Sequence, residues 1–430
     1  MARKMKDSGI EWIGEIPEGW EVVPVRSCFD EVRTKNTDGQ EQNALQFKSG
    51  NIISKANFNA NTDDYVADTI TNYTVVLPDT VMINGLNLNY DFKSLRVALV
   101  KEKGVITSAY LAIFPDRKKI SPQYATYLFK GYETKMAFHN MGAGIRKTLG
   151  YKEFKNQPLL LPSKEEQNKI SAYLDSKCSH IDIMLSKIRS SIEEYKKLKQ
   201  VVITQAVTKG VRGEREMKDS GVEWIGEIPK EWVIQKIKSI SSRINVGVVI
   251  RPSEYFDENG TVPFLRGINV KEYLISSDNM VYINESSNHI LSKSQVHTDD
   301  ILIVRDGSIG TSCVVPAEYD GANVVSMVIV TPSTSCDSRF ICYSLNSDVG
   351  KTQFTLTKIG SALTHTSVSA VSDIIVAVPS CAEQKEIADY LDAKCAEIDG
   401  LIAKKEQLVK ELESYKKSLI YEVVTGKREV

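Results

Sequence analysis

After Pro162 the apolar residues recur mostly in steps of three and four: Ile170, Leu174, Cys178, Ile181, Leu185, Ile188, Ile192, Tyr195, Val202 and Ala206. The spacing returns after Pro379 at Ile387, Leu391, Cys395, Ile398, Ile402, Val409, Leu412, Leu419 and Val423, with Lys405 as a polar break. A seam sustained over so many turns predicts two long amphipathic helices, each carrying one apolar stripe that needs a partner. Each opens just after a proline with a capping pair, Ser163 with Glu166 and Ser380 with Glu383. Each stops at a glycine beside a lysine, Lys209-Gly210 and Gly426-Lys427. About 43 residues at 1.5 Å rise make a rod of roughly 64 Å. The available partner for each helix is the other copy, and an antiparallel pair is expected. Packing on another subunit, or homodimerisation through the same stripe, stays open, because a heptad seam alone does not fix its partner. Cys178 and Cys395, at equal places in the seam, are expected to be packing residues rather than a redox pair.

Outside these helices the pattern shortens. Residues 18–157 and 230–375 read as mixed strand and helix, with apolar runs at 74–77, 81–83, 97–100 and 111–114, and again at 262–265, 300–304, 313–315 and 324–330. The segment 78–85 lines up with 298–307, and 142–148 with 360–366, despite low identity. Flanking segments repeat far more closely: Met5-Lys-Asp-Ser-Gly-Ile-Glu-Trp-Ile-Gly-Glu-Ile-Pro17 returns as Met217-Lys-Asp-Ser-Gly-Val-Glu-Trp-Ile-Gly-Glu-Ile-Pro229, and Pro162 to Thr208 returns as Pro379 to Thr425 with a constant shift of 217. A period this long is a duplicated domain plus connector, not a solenoid. The fold class predicted is α+β: two similar mixed α/β domains joined by two long antiparallel helices that form a coiled coil, with an internal pseudo-twofold duplication. The divisions are a first domain over 1–160, a first helix over 161–212, a second domain over 213–377 and a second helix over 378–430. A frame kept while the domain interiors diverge suits a target with two different, separated halves. Trp12, Trp20, Trp224 and Trp232 occur in both copies and are expected to pin the segment linking each domain to the helices.

Composition narrows the classes. Hydrophobic content of 42% and charged content of 25% are ordinary for a globular chain. No apolar run reaches the roughly 18 residues of a membrane span, and none follows the basic start as a secretion signal would. Seven cysteines without a CxxC pair indicate a reducing cytoplasm, and the five scattered histidines make no metal-ligand spacing. The net charge of −1 argues for nothing, but Arg96 to Lys155 holds twelve Lys/Arg against four Asp/Glu. A nucleic-acid reader needs a basic face rather than a basic total. The corresponding stretch of the second half is not basic, so this signal is weak.

Catalytic motifs are sparse. There is no Walker A pattern, no Asn-Pro-Pro-Tyr-like tetrapeptide and no Gly-rich methyl-donor loop. The PD-(D/E)xK nuclease pattern occurs twice in the first half, as Pro78-Asp79 with Asp91-Phe-Lys93 and Pro115-Asp116 with Glu133-Thr-Lys135. Such carboxylates could hold Mg²⁺. The second half has no Pro-Asp dipeptide, and duplicated catalytic domains should both carry the motif. A purely structural coiled-coil adaptor explains the helices but not two divergent domains.

The paired Glu11-Trp-Ile-Gly-Glu-Ile-Pro17 and Glu223-Trp-Ile-Gly-Glu-Ile-Pro229 resemble the segments that open the target recognition domains of type I restriction–modification specificity subunits. So do both helices, with Glu-Gln…Ile…Tyr-Leu-Asp…Ile-Asp, and their closing Ala206-Val-Thr-Lys and Val424-Thr-Gly-Lys. The resemblance covers the chain in the order domain, helix, domain, helix. It implies a non-catalytic subunit that reads a bipartite, asymmetric double-stranded DNA site, one half per domain, with the helices setting the spacer. It also implies two methyltransferase subunits that methylate adenine and two restriction/translocase subunits as partners. S-adenosylmethionine, ATP and Mg would then belong to those partners, with no cofactor or metal in this chain. Base and phosphate contacts are expected from polar residues in Gly- or Pro-marked turns: Lys48, Asn84, Arg96, Arg146 and Lys147 in the first domain, and Arg251, Arg266, Arg305, Ser361, Thr364 and His365 in the second.

Overall fold

In the computed structural model the described residues are 3–55, 70–92, 95–141, 147–359 and 365–430. The chain forms two compact units, Met1–Arg189 with Gln407–Val430, and Ser190–Glu406. The first unit is discontinuous in sequence and the second is continuous, and their boundaries, at 189/190 and 406/407, fall within the two long helices rather than at 160, 212 and 377.

The first unit opens with the repeated segment as a hairpin, β1 (Met5–Asp7) against β2 (Glu15–Pro17), then β3 (Glu21–Pro24) and β4 (Phe29–Glu31). The hairpin β5 (Leu45–Lys48) and β6 (Asn51–Ser54) follows, then β7 (Thr74–Val76), β8 (Val81–Ile83), β9 (Val97–Leu99), β10 (Gly104–Ile106) and β11 (Leu111–Pro115). Strands β4, β11, β8 and β9, in that order, make an antiparallel sheet. Side chains alternate across it. Val81, Ile83, Val97 and Ile113 join the core beneath helix α1 (Pro122–Thr134), whereas Met82 and Ala112 join a second cluster with Leu45, Val76 and Ile106. A short α2 (Tyr151–Phe154) leads to β12 (Pro158–Leu161), which pairs with β3, and then to α3 (Lys164–Lys209).

The second unit repeats this plan. It contains β13 (Met217–Asp219) against β14 (Glu227–Pro229), β15 (Val233–Lys236), β16 (Ser241–Val246), β17 (Val262–Leu265), β18 (Val270–Lys271), β19 (Leu274–Ile275) and β20 (Val281–Ile283). After α4 (Glu285–Ile290) come β21 (Ile301–Val304), β22 (Ser312–Val314), β23 (Asn323–Val324) and β24 (Met327–Pro332). The sheet order β16, β24, β21, β22 matches that of the first unit. The run expected as one strand over 324–330 is two, because Ser326 takes a left-handed φ of 49° and breaks it. Helices α5 (Ser338–Asn346), α6 (Asp348–Ile359) and α7 (Val368–Ser372) precede β25 (Ile375–Val378), paired with β15, and α8 (Cys381–Val424). The alignment of 78–85 with 298–307 is structural: Asp79 and Asp299 both turn the chain with positive φ, and their amides donate to Val100 and Val315 carbonyls.

Helices α3 and α8 run antiparallel within each unit, and the duplication makes the same contact twice. Lys416 reaches Asp182 at 2.6 Å in the first unit, and Lys199, its repeat counterpart, reaches Asp399 at 2.7 Å in the second. Ile170, Leu174, Ile181, Leu185, Ile192, Ile387, Leu391 and Ile398 are buried, while Ile188, Ile402 and Leu412 are half-buried. The polar break has a partner, since Lys405 Nζ lies 5.4 Å from the Tyr195 ring centre. Cys178 and Cys395 are buried free thiols, and burial raises the pKa of both. The helix ends enter the cores. Leu419, Ile420, Val423 and Val424 pack with the first domain, where Gly131 leaves room for Val424, and Ile203, Ala206 and Val207 pack around Trp232.

Both helices begin with serine accepting a backbone N–H, from Glu166 at 3.3 Å and from Glu383 at 3.4 Å. The glutamates do not reach back as a capping box would. Glu166 pairs with Arg3 and Glu383 with Arg215, and those arginines lie over the rings of Trp20 and Trp232. Trp20 and Trp232 are buried. Trp12 is half-buried, edge-on to Tyr132, with its carbonyl accepting from the Tyr421 hydroxyl. Trp224 is 38% exposed. Thr204 stands where Tyr421 does in the repeat, and its hydroxyl accepts the Asp348 amide instead.

Candidate nucleic-acid interface

Three segments of the first unit meet at one end of its four-stranded sheet. The connection from β8 to β9, residues 84–96, is packed by the β5–β6 turn and by residues 147–149. A Cβ on Gly50 would lie 3.0 Å from Leu95 Cβ, and the Leu149 amide donates to the Gly85 carbonyl at 2.9 Å. Gly85 is required there, since a Cβ would fall 2.5 Å from the Leu149 carbonyl oxygen. The Leu88 amide reaches the Lys147 carbonyl at 3.3 Å. Ser49 and Gly50 both have positive φ, the geometry of a two-residue hairpin turn, and place Lys48 exposed beside it. Lys147 is exposed too, and Asn84 is half-buried with its side-chain oxygen accepting the Leu86 amide.

Arg96 lies elsewhere than expected. It is 1% exposed, and its guanidinium faces inward onto the connection itself. Nη1 donates to the carbonyls of Asn84 and Leu86 at 2.9 Å each, and Nη2 donates to that of Asp91 at 2.6 Å. The Arg96 amide donates to Glu133 Oε1 at 2.6 Å, and burial raises the pKa of that carboxyl to about 7. A side chain so enclosed cannot reach a base edge, so its role is to shape the loop. The loop in turn exposes Tyr90, Phe92 and Leu95, with Phe92 stacked on His139 at 5.1 Å. Sequence reasoning sought polar readers and missed these rings. The signal available was two aromatics inside a turn-rich stretch, Asn87-Leu-Asn-Tyr-Asp-Phe92.

The second unit gathers the equivalent segments. The β21–β22 connection pairs with residues 365–366: Thr366 N donates to the Arg305 carbonyl at 3.1 Å, Arg305 Nε donates to the Thr366 carbonyl at 3.0 Å, and Asp306 bridges His365. Arg266 follows β17, where the Leu265 carbonyl accepts the Val325 amide. It is half-buried, with Nη2 on the Asn279 carbonyl and a buried Nε that has no protein partner. Val248 bridges Val325, which brings the following turn to the same place. There Arg251 is exposed and pairs with Glu254 at 3.2 Å, beside exposed Val249 and Ile250. Arg251, Arg266, Arg305 and His365 thus sit on converging segments. Arg146, Ser361 and Thr364 lie outside the described residues.

The nuclease-like residues do not assemble. Asp79 pairs with Arg117 at 2.7 Å, Asp116 with Lys119 at 3.4 Å, and Lys135 lies over the Tyr421 ring. Asp91 lies 3.6 Å from Arg96, and Lys93 is outside the described residues. Among the described residues no three His, Cys, Asp or Glu side chains could together hold a metal ion, and no helix is long and apolar enough to cross a membrane.

Residues 229–411 match the family of the type I restriction modification DNA specificity domain. The putative type I restriction enzyme MjaX specificity subunit of Methanocaldococcus jannaschii is 26% identical over 428 residues, 96% of this chain and 95% of its own length. The MjaVIII specificity subunit of the same organism is 24% identical over 421 residues, 96% of this chain and 93% of its own. Among solved structures, the HsdS subunit from Thermoanaerobacter tengcongensis aligns with a TM-score of 0.51 at 15% identity, over 96% of this chain and 98% of that one. A chain from a study of complex assembly and conformational transition of the type I R-M system aligns with a TM-score of 0.70 at 14% identity, over 96% and 99%.

Proposed function

We propose that this chain, which matches type I restriction–modification specificity subunits along nearly its whole length, is the DNA-reading subunit of such a complex. One observation carries the reading. The repeat keeps its frame twice, in the Asp182–Lys416 and Asp399–Lys199 pairs and in the Glu166–Arg3 and Glu383–Arg215 pairs, while the connections at the sheet ends differ. Thirteen residues, 84–96, join β8 to β9, against seven, 305–311, between β21 and β22. Equal frames with unequal tips suit two different half-sites.

Each unit reads one half of a split, asymmetric duplex site, and the length of the paired helices sets the gap. Lys48 and Lys147 in the first unit and Arg251 in the second position phosphates, while Arg266, Arg305 and His365 face base edges. Two methyltransferase subunits dock on the helices and methylate adenine within the site, and two restriction subunits add cleavage. S-adenosylmethionine, ATP and Mg belong to those partners. The chain itself contributes recognition, not chemistry.

The test is single-molecule methylome sequencing of cells expressing this chain with its methyltransferase partner, against cells lacking it. Methyladenine in one split motif around a fixed gap supports the reading. No new motif from a stable complex rejects it.

A further inference from the structure

We infer that the Asn87–Phe92 segment is an aromatic finger through which the first unit makes apolar contact with the bases of its half-site, Tyr90 and Phe92 being the specificity-determining rings. The inference rests on the DNA-reading function proposed above and deepens it.

Four observations converge. Tyr90 is 74% exposed and Phe92 59%, on a loop held from within rather than left loose. Arg96 donates to three carbonyls along that loop, at Asn84, Leu86 and Asp91. Asn87 takes a left-handed φ of 52°, and its carbonyl accepts the amides of Tyr90 and Asp91, which tightens the tip. This connection is six residues longer than its counterpart, residues 305–311, which holds no aromatic residue, so the finger belongs to one half of the duplication only.

The physics favours a ligand with apolar faces inside a charged shell. Fixing rings in water exposes apolar area that folding would otherwise bury, and such patches mark interaction surfaces. A preorganised loop also loses little conformational freedom on binding. Lys48 and Lys147, both exposed, stand on the two segments packed against the loop. Cations beside protruding rings match phosphates beside base edges and thymine methyl groups. Protein–DNA interfaces are much more positively charged than protein–protein ones, and the two lysines beside the rings fit the former.

The experiment compares Tyr90→Ser and Tyr90→Ser/Phe92→Ser with the unaltered chain, each assembled with the methyltransferase subunits, by methylome sequencing and by duplex binding. The expected result is discrimination weakened roughly 5- to 30-fold at one or two positions of one half-site, with the other half-site unchanged. Both rings are largely exposed, so assembly and melting temperature should hold. A motif left unchanged by both variants overturns the finger alone. An unchanged motif with weaker methyltransferase association also overturns it, reassigning the rings to a subunit contact. If the unaltered chain yields no split motif, the DNA-reading function fails and the finger with it.

Discussion

Arg96→Met isolates what holds the connection between β8 and β9. Methionine fills similar apolar volume but carries no donor. The substitution removes three hydrogen bonds from a charged group, two at 2.9 Å and one at 2.6 Å, and leaves the carbonyls of Asn84, Leu86 and Asp91 without that partner. Each such bond is worth about 1.5–3 kcal/mol, or roughly 5–9 kcal/mol before offsets. Two offsets apply. The cation no longer has to be desolvated, and Asn84, Leu86 and Asp91 are half-buried, so water can take over part of the bonding. A net local cost of about 3 kcal/mol remains. The readout is hydrogen exchange, because the loop can open without unfolding the unit. The Leu88, Tyr90 and Asp91 amides, bonded to Lys147 and Asn87 carbonyls, should exchange roughly a hundredfold faster. Amides of β8 and of the second unit should hold their rates. Arg96→Lys should fall between, since an ammonium cannot fork across three carbonyls. Unchanged exchange at those three amides in Arg96→Met would refute the idea that the guanidinium organises the loop.

Leu185→Ala, at a fully packed seam position, should cost about 2–4 kcal/mol by urea unfolding, and a loss below about 1 kcal/mol would mean the helix pair is loosely packed there. Glu133 has its pKa raised by burial from 4.5 to about 7, so stability is full below about pH 4.5 and is lost as pH rises through 7. Glu133→Gln should therefore match the unaltered protein near pH 4.5 and exceed it at pH 8 by on the order of 2–3 kcal/mol. A variant less stable at pH 8 would show that the carboxylate is needed charged beside Arg96. Removing one heptad from each of α3 and α8 at matched positions should keep both half-sites and shorten the gap in the methylated motif, whereas an unchanged gap would sink the ruler role.

The helices were legible because a period of three and four residues has one geometric solution, and their ends because serine and glycine chemistry is local. The glutamates of the capping pairs were misread for a non-local reason. Arg3 and Arg215, 163 and 168 residues away in sequence, take their carboxylates, and no window of sequence shows that competition. The surroundings of Trp224 were hidden for the same reason: its sequence copy Trp12 meets the Tyr132 ring and accepts from the Tyr421 hydroxyl at its carbonyl, but Thr204 occupies the place of Tyr421.

At the sheet ends, residue type misled at one position and was passed over at two others. An arginine next to a strand looks like a reader, but Arg96 faces inward because three loop carbonyls need donors that the strand ladder does not supply. Tyr90 and Phe92 drew no reading from the sequence, and both stay exposed, outside either hydrophobic cluster of the unit. Both outcomes rest on one structural fact. Turning the charged side chain inward satisfies the backbone of the loop, and a loop satisfied from within can leave its rings in water. The frame has no such freedom. Lys199 and Lys416 are repeat copies that meet Asp399 and Asp182, so a change to one copy alone would break the match between the two units. A connection that bonds to itself can change length without disturbing the frame, as the thirteen residues after β8 and the seven after β21 do.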